Sequence, residues 1–254
     1  MEGLFRRSGL INYSKVLVIP DLHTPFNHPD AYLFIKTLLH RYTPDIVINI
    51  GDEVDNHCIS FHKAEPDIAF SPSSELEEAV KELKSYYDLF KGVPVKVVDS
   101  NHGSLVYRRQ RHEGLPRRVF KDWPDILEAP SNWEWASRFI LQTGTNKTLF
   151  QHMIKSNALA ASKHKGMNTV QGHYHSKMDI QYWRNDTGGI FWGATIGCLI
   201  DEHAIAMAYG KEFLDRPILG ALIIIRGVPV YEPMIVDKNN RWVHGPKWRK
   251  QFSG

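Results

Sequence analysis

An α/β fold, with two mixed sheets packed face to face and helices on the outside, is what this sequence predicts, and three observations predict it. Short β-branched runs alternate with helical periodicity through the N-terminal part, the C-terminal half is a succession of apolar runs cut by Gly, Pro, Asn or Asp, and no linker or composition shift divides the halves. A single domain spanning 1–254 is therefore expected. The bulk figures agree: 254 residues, 43% hydrophobic and 23% charged, are those of an ordinary globular chain and exclude disorder.

Element by element, Lys15 to Pro20 is a β-branched apolar run of the kind a strand buried on both faces requires. Pro29 then opens a helix whose apolar stripe is Ala31, Phe34, Ile35, Leu38 and Leu39. Asp45 to Ile50 is the second strand. Ser74 with Glu77 has the spacing of a capping box, ahead of a stripe formed by Leu76, Ala79, Val80, Leu83, Tyr86, Tyr87 and Phe90. Val93 to Val98 is the third strand, and the alternation predicts parallel pairing with right-handed crossovers. Beyond it, strands are expected at Phe139 to Leu141, Thr148 to His152, Thr169 to Gln171, Met178 to Trp183, Gly189 to Trp192, Gly197 to Ile200, Gly220 to Arg226 and Val230 to Val236.

Several classes are excluded at this level. The longest apolar run, Ile218 to Ile225, falls far short of the roughly 20 residues a spanning helix needs, so no membrane partner is expected. Val16 to Pro20 is shorter than the about 7–15 apolar residues of a secretory signal, which makes a cytoplasmic location the expectation. Cys58 and Cys198 are too far apart in sequence for a Cys-x-x-Cys site, so any metal must use other ligands. A formal charge of +3 does not advertise a nucleic-acid binder, although Arg108 to Lys121 and Lys238 to Gly254 are locally basic.

The chemistry lies where the early strands end. The first runs into Asp21-Leu22-His23, the second into Gly51-Asp52-Glu53-Val54-Asp55, and the third into Asp99-Ser100-Asn101-His102-Gly103. Ligands in parallel α/β sheets bind outside the carboxyl ends of the strands, so these segments meet at one edge. His152, closing an apolar run, and Gly172-His173-Tyr174-His175, following another, complete the set. Chance supplies about one Asp-x-His triplet in such a chain, and Asp55-Asn56-His57 is a decoy. Turn chemistry also places Asp, Asn and Gly at strand ends, but it does not account for the order. Carboxylates and imidazoles without nearby thiolates suit Mn, Fe or Zn in an open site, and two ions held close together need a shared anion, for which Asp52 is the natural choice.

The ordered series Asp-x-His, Gly-Asp-x-x-Asp, Asn-His, lone His, Gly-His-x-His resembles the calcineurin-like metallophosphoesterase superfamily, and the likeness runs from Asp21 to His175. It implies a four-layer α/β/β/α metallophosphoesterase sandwich, two mixed sheets flanked by helices. It also implies two divalent metal ions, Mn foremost with Fe, Zn, Ni, Co or Mg as alternatives. Asp21, His23, Asp52 and His175 would hold one ion; Asp52, Asn101, His152 and His173 would hold the other. By the same resemblance a hydroxide between the metals is the nucleophile and His102 protonates the leaving oxygen. Asp55 is expected just behind the ligands. The family usually has Gly-Asn-His followed by Asp or Glu, whereas here Ser100 precedes Asn101 and Gly103 follows His102. Either Asp55 or Glu53 must then orient His102, or it acts as a neutral donor.

Arg108, Arg109 and Arg111 follow the Asn-His segment closely and are candidates for substrate phosphate, with Tyr174 a candidate for the pocket wall. The short connections between motifs also look like those of small phage phosphoesterases, which would place the protein in a host cytoplasm. Three functions follow. One is a phosphomonoesterase, of the 5′-nucleotidase kind, acting on a small phosphorylated substrate such as a (deoxy)nucleoside monophosphate. The alternatives are a phosphodiesterase or nuclease that takes nucleic acid, and an inactive protein-binding scaffold.

Overall fold

Strand exits can converge only if the strands are parallel neighbours, and the topology meets that condition. The computed structural model describes residues 11–61, 69–204 and 215–243. In chain order the elements are β1 (Lys15–Ile19), α1 (Ala31–Tyr42), β2 (Ile46–Asn49), α2 (Pro72–Leu89), β3 (Val95–Val98), α3 (Leu105–His112), α4 (Trp123–Ile126), β4 (Trp133–Ala136), β5 (Phe139–Gln142), β6 (Lys147–Phe150), α5 (Ala158–Lys165), β7 (Asn168–Gln171), β8 (Met178–Arg184), β9 (Ile190–Ile196), β10 (Gly220–Ile225) and β11 (Val228–Pro233). One sheet has the order β11-β10-β1-β2-β3-β4, with β1 to β4 parallel and β10 and β11 antiparallel. The other has the order β5-β6-β7-β9-β8, parallel in its centre with antiparallel edges.

The period-two alternation of each strand assigns its side chains to two cores. Val16, Val18, Ile46, Ile48, Val98, Leu222 and Ile224 point between the sheets, where they meet Phe139, Phe150, Val170, Ala194 and Ile196. Leu17, Ile19, Val47, Val95, Val97, Ala221 and Ile223 point the other way, onto the apolar stripes of α1 and α2. α5 covers the outer face of the second sheet against β7, β8 and β9. The layers are thus helix, sheet, sheet, helix, and the mixed two-sheet α/β sandwich expected from the sequence is the fold.

Four local expectations need correction. The capping box of α2 is built by Ser71 and Ser74, not Ser74 and Glu77, because Pro72 takes the first helical position, where its missing N–H costs nothing. β9 runs unbroken through Gly193, and Gly197 to Ile200 is a chain of isolated bridges rather than a strand. Gly193 is the site of a close approach: a Cβ there would lie 2.1 Å from the Ala158 carbonyl of α5. β4, with Trp133 and Trp135 alternating, extends the first sheet where no strand was expected. His152 lies beyond the end of β6 rather than closing it. Of the basic C-terminal stretch, residues 244–254 lie outside the described residues, and no helix among those described is long and apolar enough to cross a membrane.

The described C-terminal residues lie across the start of α1. Asp30 accepts hydrogen bonds from Arg241 Nε (2.8 Å), Arg241 Nη2 (2.6 Å) and the Trp242 backbone N–H (2.8 Å), while the Trp242 ring meets Phe34 edge-on at 5.3 Å. The hydrogen bonds from Arg241 hold the Asp30 carboxyl at about 2, below its ordinary value. Its contribution is therefore complete above the ordinary carboxylate range and is lost as pH falls through about 2. Asp30→Asn is expected to cost about 1–2 kcal/mol at neutral pH, discounted for the exposure of Arg241, with the difference shrinking in acid. Denaturant melts of both proteins at pH 7 and pH 3 check this.

Candidate metal centre

Five strand exits deliver the polar side chains to one place. β1 leads to Asp21 and His23, β2 to Asp52 and Asp55, β3 to Asn101 and His102, β6 to His152, and β7 to His173 and His175. The turns that aim them are tight. Gly51, His23, Asp52 and His173 all have left-handed backbone, with φ of 109°, 55°, 50° and 68°. Only glycine adopts this without strain, so the other three store about 1–3 kcal/mol each of the kind found at functional sites.

Two donor clusters share Asp52, and a third joins His23, Asp55 and His102. Asp21, His23, Asp52 and His175 offer ligand atoms all within 4.8 Å of one another, and so do Asp52, His152 and His173. In the first cluster, His23 Nδ1 is 2.5 Å from Asp55 Oδ1, which fixes the proton there and leaves Nε2 as an acceptor. That Nε2 lies 3.2 Å from His175 Nε2 and 3.5 Å from Asp52 Oδ2, while His175 Nε2 is also 3.2 Å from Asp21 Oδ2. Asp21 Oδ1 is buried without a hydrogen-bond partner. Acceptors facing one another around an orphaned carboxylate oxygen fit a cation. In the second cluster, His152 Nδ1 donates to the Ile50 carbonyl at 3.0 Å and aims Nε2 at Asn101 Oδ1 (2.8 Å) and Asp52 Oδ2 (3.1 Å). Asn101 Oδ1 is also 3.1 Å from His173 Nδ1.

Charge follows this geometry. Burial raises the Asp52 carboxyl, but His152 and His102 outweigh it and hold the group well below its ordinary range. Burial lowers His152, but Asp52 and Asp21 lift it to about 9. His23 is held low by burial and by His102, and His173 by burial and by His152. Burial and the Asp52 and Asp55 carboxylates act oppositely on His102, with the carboxylates prevailing to raise it.

His102 sits at the rim, its side chain 23% exposed. Its Nδ1 meets the Asp55 carbonyl at 2.5 Å and lies 3.4 Å from Asp55 Oδ1, and its backbone N–H donates to Asp52 Oδ1 at 3.1 Å. No hydrogen bond among the described residues uses Nε2. Asp55 thus orients both His23 and His102. Glu53, the other candidate for that role, is turned away: its Oε1 accepts from the indole N–H groups of Trp123 (2.7 Å) and Trp135 (3.2 Å). A Cβ on Gly103 would lie 3.3 Å from Trp123 Nε1 and 3.7 Å from Glu53 Oε1, so this buried pair occupies the space of the missing side chain. Ser100 is not among the left-handed residues, and its Oγ accepts from the Gly103 N–H at 3.2 Å, so Ser is accommodated there.

Sequence reasoning overlooked the supporting roles of two positions, Asn56 and Gly172. Asn56 donates through Nδ2 to the His102 carbonyl at 3.0 Å. On Gly172 a Cβ would fall 2.3 Å from Asp21 Oδ1. No local pattern marks Asn56, whereas the glycine was visible as part of Gly-His-x-His. Tyr174 packs edge-on to His173 at 5.2 Å. Arg109 donates to the Ile59 and Ser60 carbonyls; Arg108 and Arg111 are exposed, and no hydrogen bond or ion pair joins the three to the His/Asp cluster among the described residues.

Two outcomes are expected. Gly172→Ala pushes Asp21 aside, so metal content by plasma mass spectrometry falls to one ion per chain or fewer, while circular dichroism stays native. Because His152 titrates at about 9, a cation entering beside Asp52 must displace its proton. Mn²⁺ affinity by titration calorimetry should rise about tenfold per pH unit from neutrality toward that value and then level off; a flat profile contradicts the proton count.

The family model for calcineurin-like phosphoesterases matches residues 14–195, well over half of the chain. No curated protein matches. Among solved structures, the chain is similar to Vps29 from Chaetomium thermophilum (12% identity, TM-score 0.45, covering 89% of this chain and 91% of that one). It is also similar to PH1004 from Pyrococcus horikoshii OT3 (11% identity, TM-score 0.46, 90% of each chain) and to an archaeal phosphodiesterase (14% identity, TM-score 0.43, 86% of this chain and 97% of that one). With its motif series, its two-sheet sandwich and a family match that spans every one of the strand exits described above, the chain belongs to the calcineurin-like phosphoesterase family.

Proposed function

We propose that this protein is a dinuclear metal-dependent phosphoester hydrolase, acting as a phosphomonoesterase on a small substrate such as a (deoxy)nucleoside monophosphate. The observation that carries the reading is that one buried carboxylate, Asp52, is common to both donor clusters. Asp21, His23, Asp52 and His175 hold one divalent cation and Asp52, Asn101, His152 and His173 the other, with Mn²⁺ the first choice for this mixture of oxygen and nitrogen donors. When bound, such a pair supplies Lewis acidity toward phosphoryl oxygens and activates water at neutral pH.

The chain's own groups do the rest. Asp55 locks the His23 tautomer through a carboxylate contact and locks His102 through its carbonyl. With Nδ1–H held by the Asp55 carbonyl, His102 carries a proton on Nε2 only as the imidazolium, the form that the Asp52 and Asp55 carboxylates favour; in that form it protonates the leaving oxygen at the rim or donates a hydrogen bond as charge develops there. A positioned acid of this kind contributes about 10²–10⁴-fold. The buried acceptors exclude bulk water and strengthen every charge interaction inside. Arg108 and Arg111 of α3, exposed and without a carboxylate partner among the described residues, favour a second reading, a phosphodiesterase or nuclease, because a polynucleotide brings several phosphates.

The test loads metal-depleted protein with Mn²⁺ and offers a nucleoside monophosphate, a bis-aryl phosphodiester and single-stranded DNA side by side. Release of inorganic phosphate from the first alone is expected, and shortening of the DNA replaces this reading with the second. His102→Ala should retain both ions while kcat drops about 10²–10⁴-fold; an undiminished rate removes it from the mechanism.

A further inference from the structure

Beside the centre stands a surface that the hydrolytic chemistry does not use. Phe61 is 43% exposed, and the Arg109 guanidinium lies 4.1 Å from its ring centroid, that of Arg108 5.1 Å, and the His112 ring 5.8 Å. Arg109 is fixed in place by its hydrogen bonds to the Ile59 and Ser60 carbonyls. No carboxylate pairs with Arg108, Arg109 or Arg111 among the described residues, and Arg108 and Arg111 are exposed. The C-terminal dipole of α3 accounts for cations in its last turn, but not for a large aromatic ring held open to solvent beneath two guanidinium groups.

Both ends of this platform are tied to the catalytic rim. α3 starts three residues after His102, and at 1.5 Å per residue Arg109 lies about 6 Å along the helix axis from its first residue, Leu105. On the other side, Asn56 holds the His102 carbonyl and His57 Nδ1 is 3.8 Å from Asp55 Oδ2, just ahead of Ile59, Ser60 and Phe61. The platform and the centre thus share one stretch of backbone, which places an anion- and ring-binding surface next to the rim. Flat π-surfaces and guanidinium planes accept a stacked base, and free guanidinium groups take phosphate oxygens bidentately.

We propose that Phe61, Arg108 and Arg111, braced by Arg109, form a subsite for a nucleotide unit beyond the reacting phosphate, stacking its base and pairing with a second phosphate. The proposal rests on the reading of the centre as a hydrolase of nucleotide phosphoesters and extends it to substrates that carry a unit beyond the reacting phosphate. Two sources share the chemistry, a nucleoside bisphosphate and a short single-stranded oligonucleotide.

The test is binding, not turnover, so that it is decided separately from the hydrolase reading. Full-length protein in chelator is titrated into a fluorescently labelled tetranucleotide, and the anisotropy is competed with a nucleoside 3′,5′-bisphosphate, a nucleoside monophosphate and inorganic phosphate. Phe61→Ala, Arg108→Ala and Arg111→Ala are each expected to weaken binding about tenfold. Each arginine variant should also flatten the log–log salt slope by about 0.7, whereas Phe61→Ala leaves the slope unchanged. Competition by the bisphosphate but not the monophosphate identifies the first source, and competition by the unlabelled oligonucleotide alone identifies the second. The proposal fails if the wild-type protein does not bind, if the three variants bind as it does, or if inorganic phosphate competes as well as the bisphosphate. Hydrolysis of an aryl phosphate by the Mn²⁺-loaded wild type reports independently on the centre itself.

Discussion

A carboxylate buried between imidazoles is the constraint on which this molecule turns. Asp52 is taken out of water, which burial alone disfavours, and it stays ionised because His152, His102 and His23 surround it. Every one of those partners comes from a different strand exit, so the electrostatics require β1, β2, β3 and β6 to end at one edge. The parallel core of the first sheet and the face-to-face packing of the second supply that geometry. Removing one member leaves the others as uncompensated buried polar groups, which makes the site a cooperative unit rather than a set of contacts.

The sheet core and the convergence of the candidate donors were largely legible in the sequence. β1, β2 and β3 are short β-branched runs buried on both faces, a pattern few other structures satisfy, and each is followed directly by its polar residues. What escaped had physical reasons. β4 rests on two tryptophans in a four-residue segment, too short for periodicity to distinguish from a loop. The start of α2 depended on Pro72, whose preference for the first helical position outweighs a nearby Ser-x-x-Glu spacing. Glu53 reads as one more acid in a loop of acids; only the packing of α4 and β4 brings the two indoles that turn it inward. Asn56 acts through a backbone carbonyl 46 positions away, and no local pattern encodes such a contact.

The replacement of an acidic residue by Gly103 illustrates how such a site tolerates change. Orientation of His102 falls to Asp55, which already serves His23, and the volume next to Gly103 is taken by the Glu53 and Trp123 side chains. The same loop then turns through His57 to Ile59 and Ser60, so groups that aim the His102 imidazole and groups that brace Arg109 lie on one short stretch of backbone.

The left-handed backbone at His23, Asp52 and His173 sets evolution and engineering against each other. Glycine at any of these positions relaxes the main chain but deletes a donor. A screen that rewards only heat resistance would drift toward glycine at all three, and its winners would be robust proteins stripped of three of the seven candidate donors.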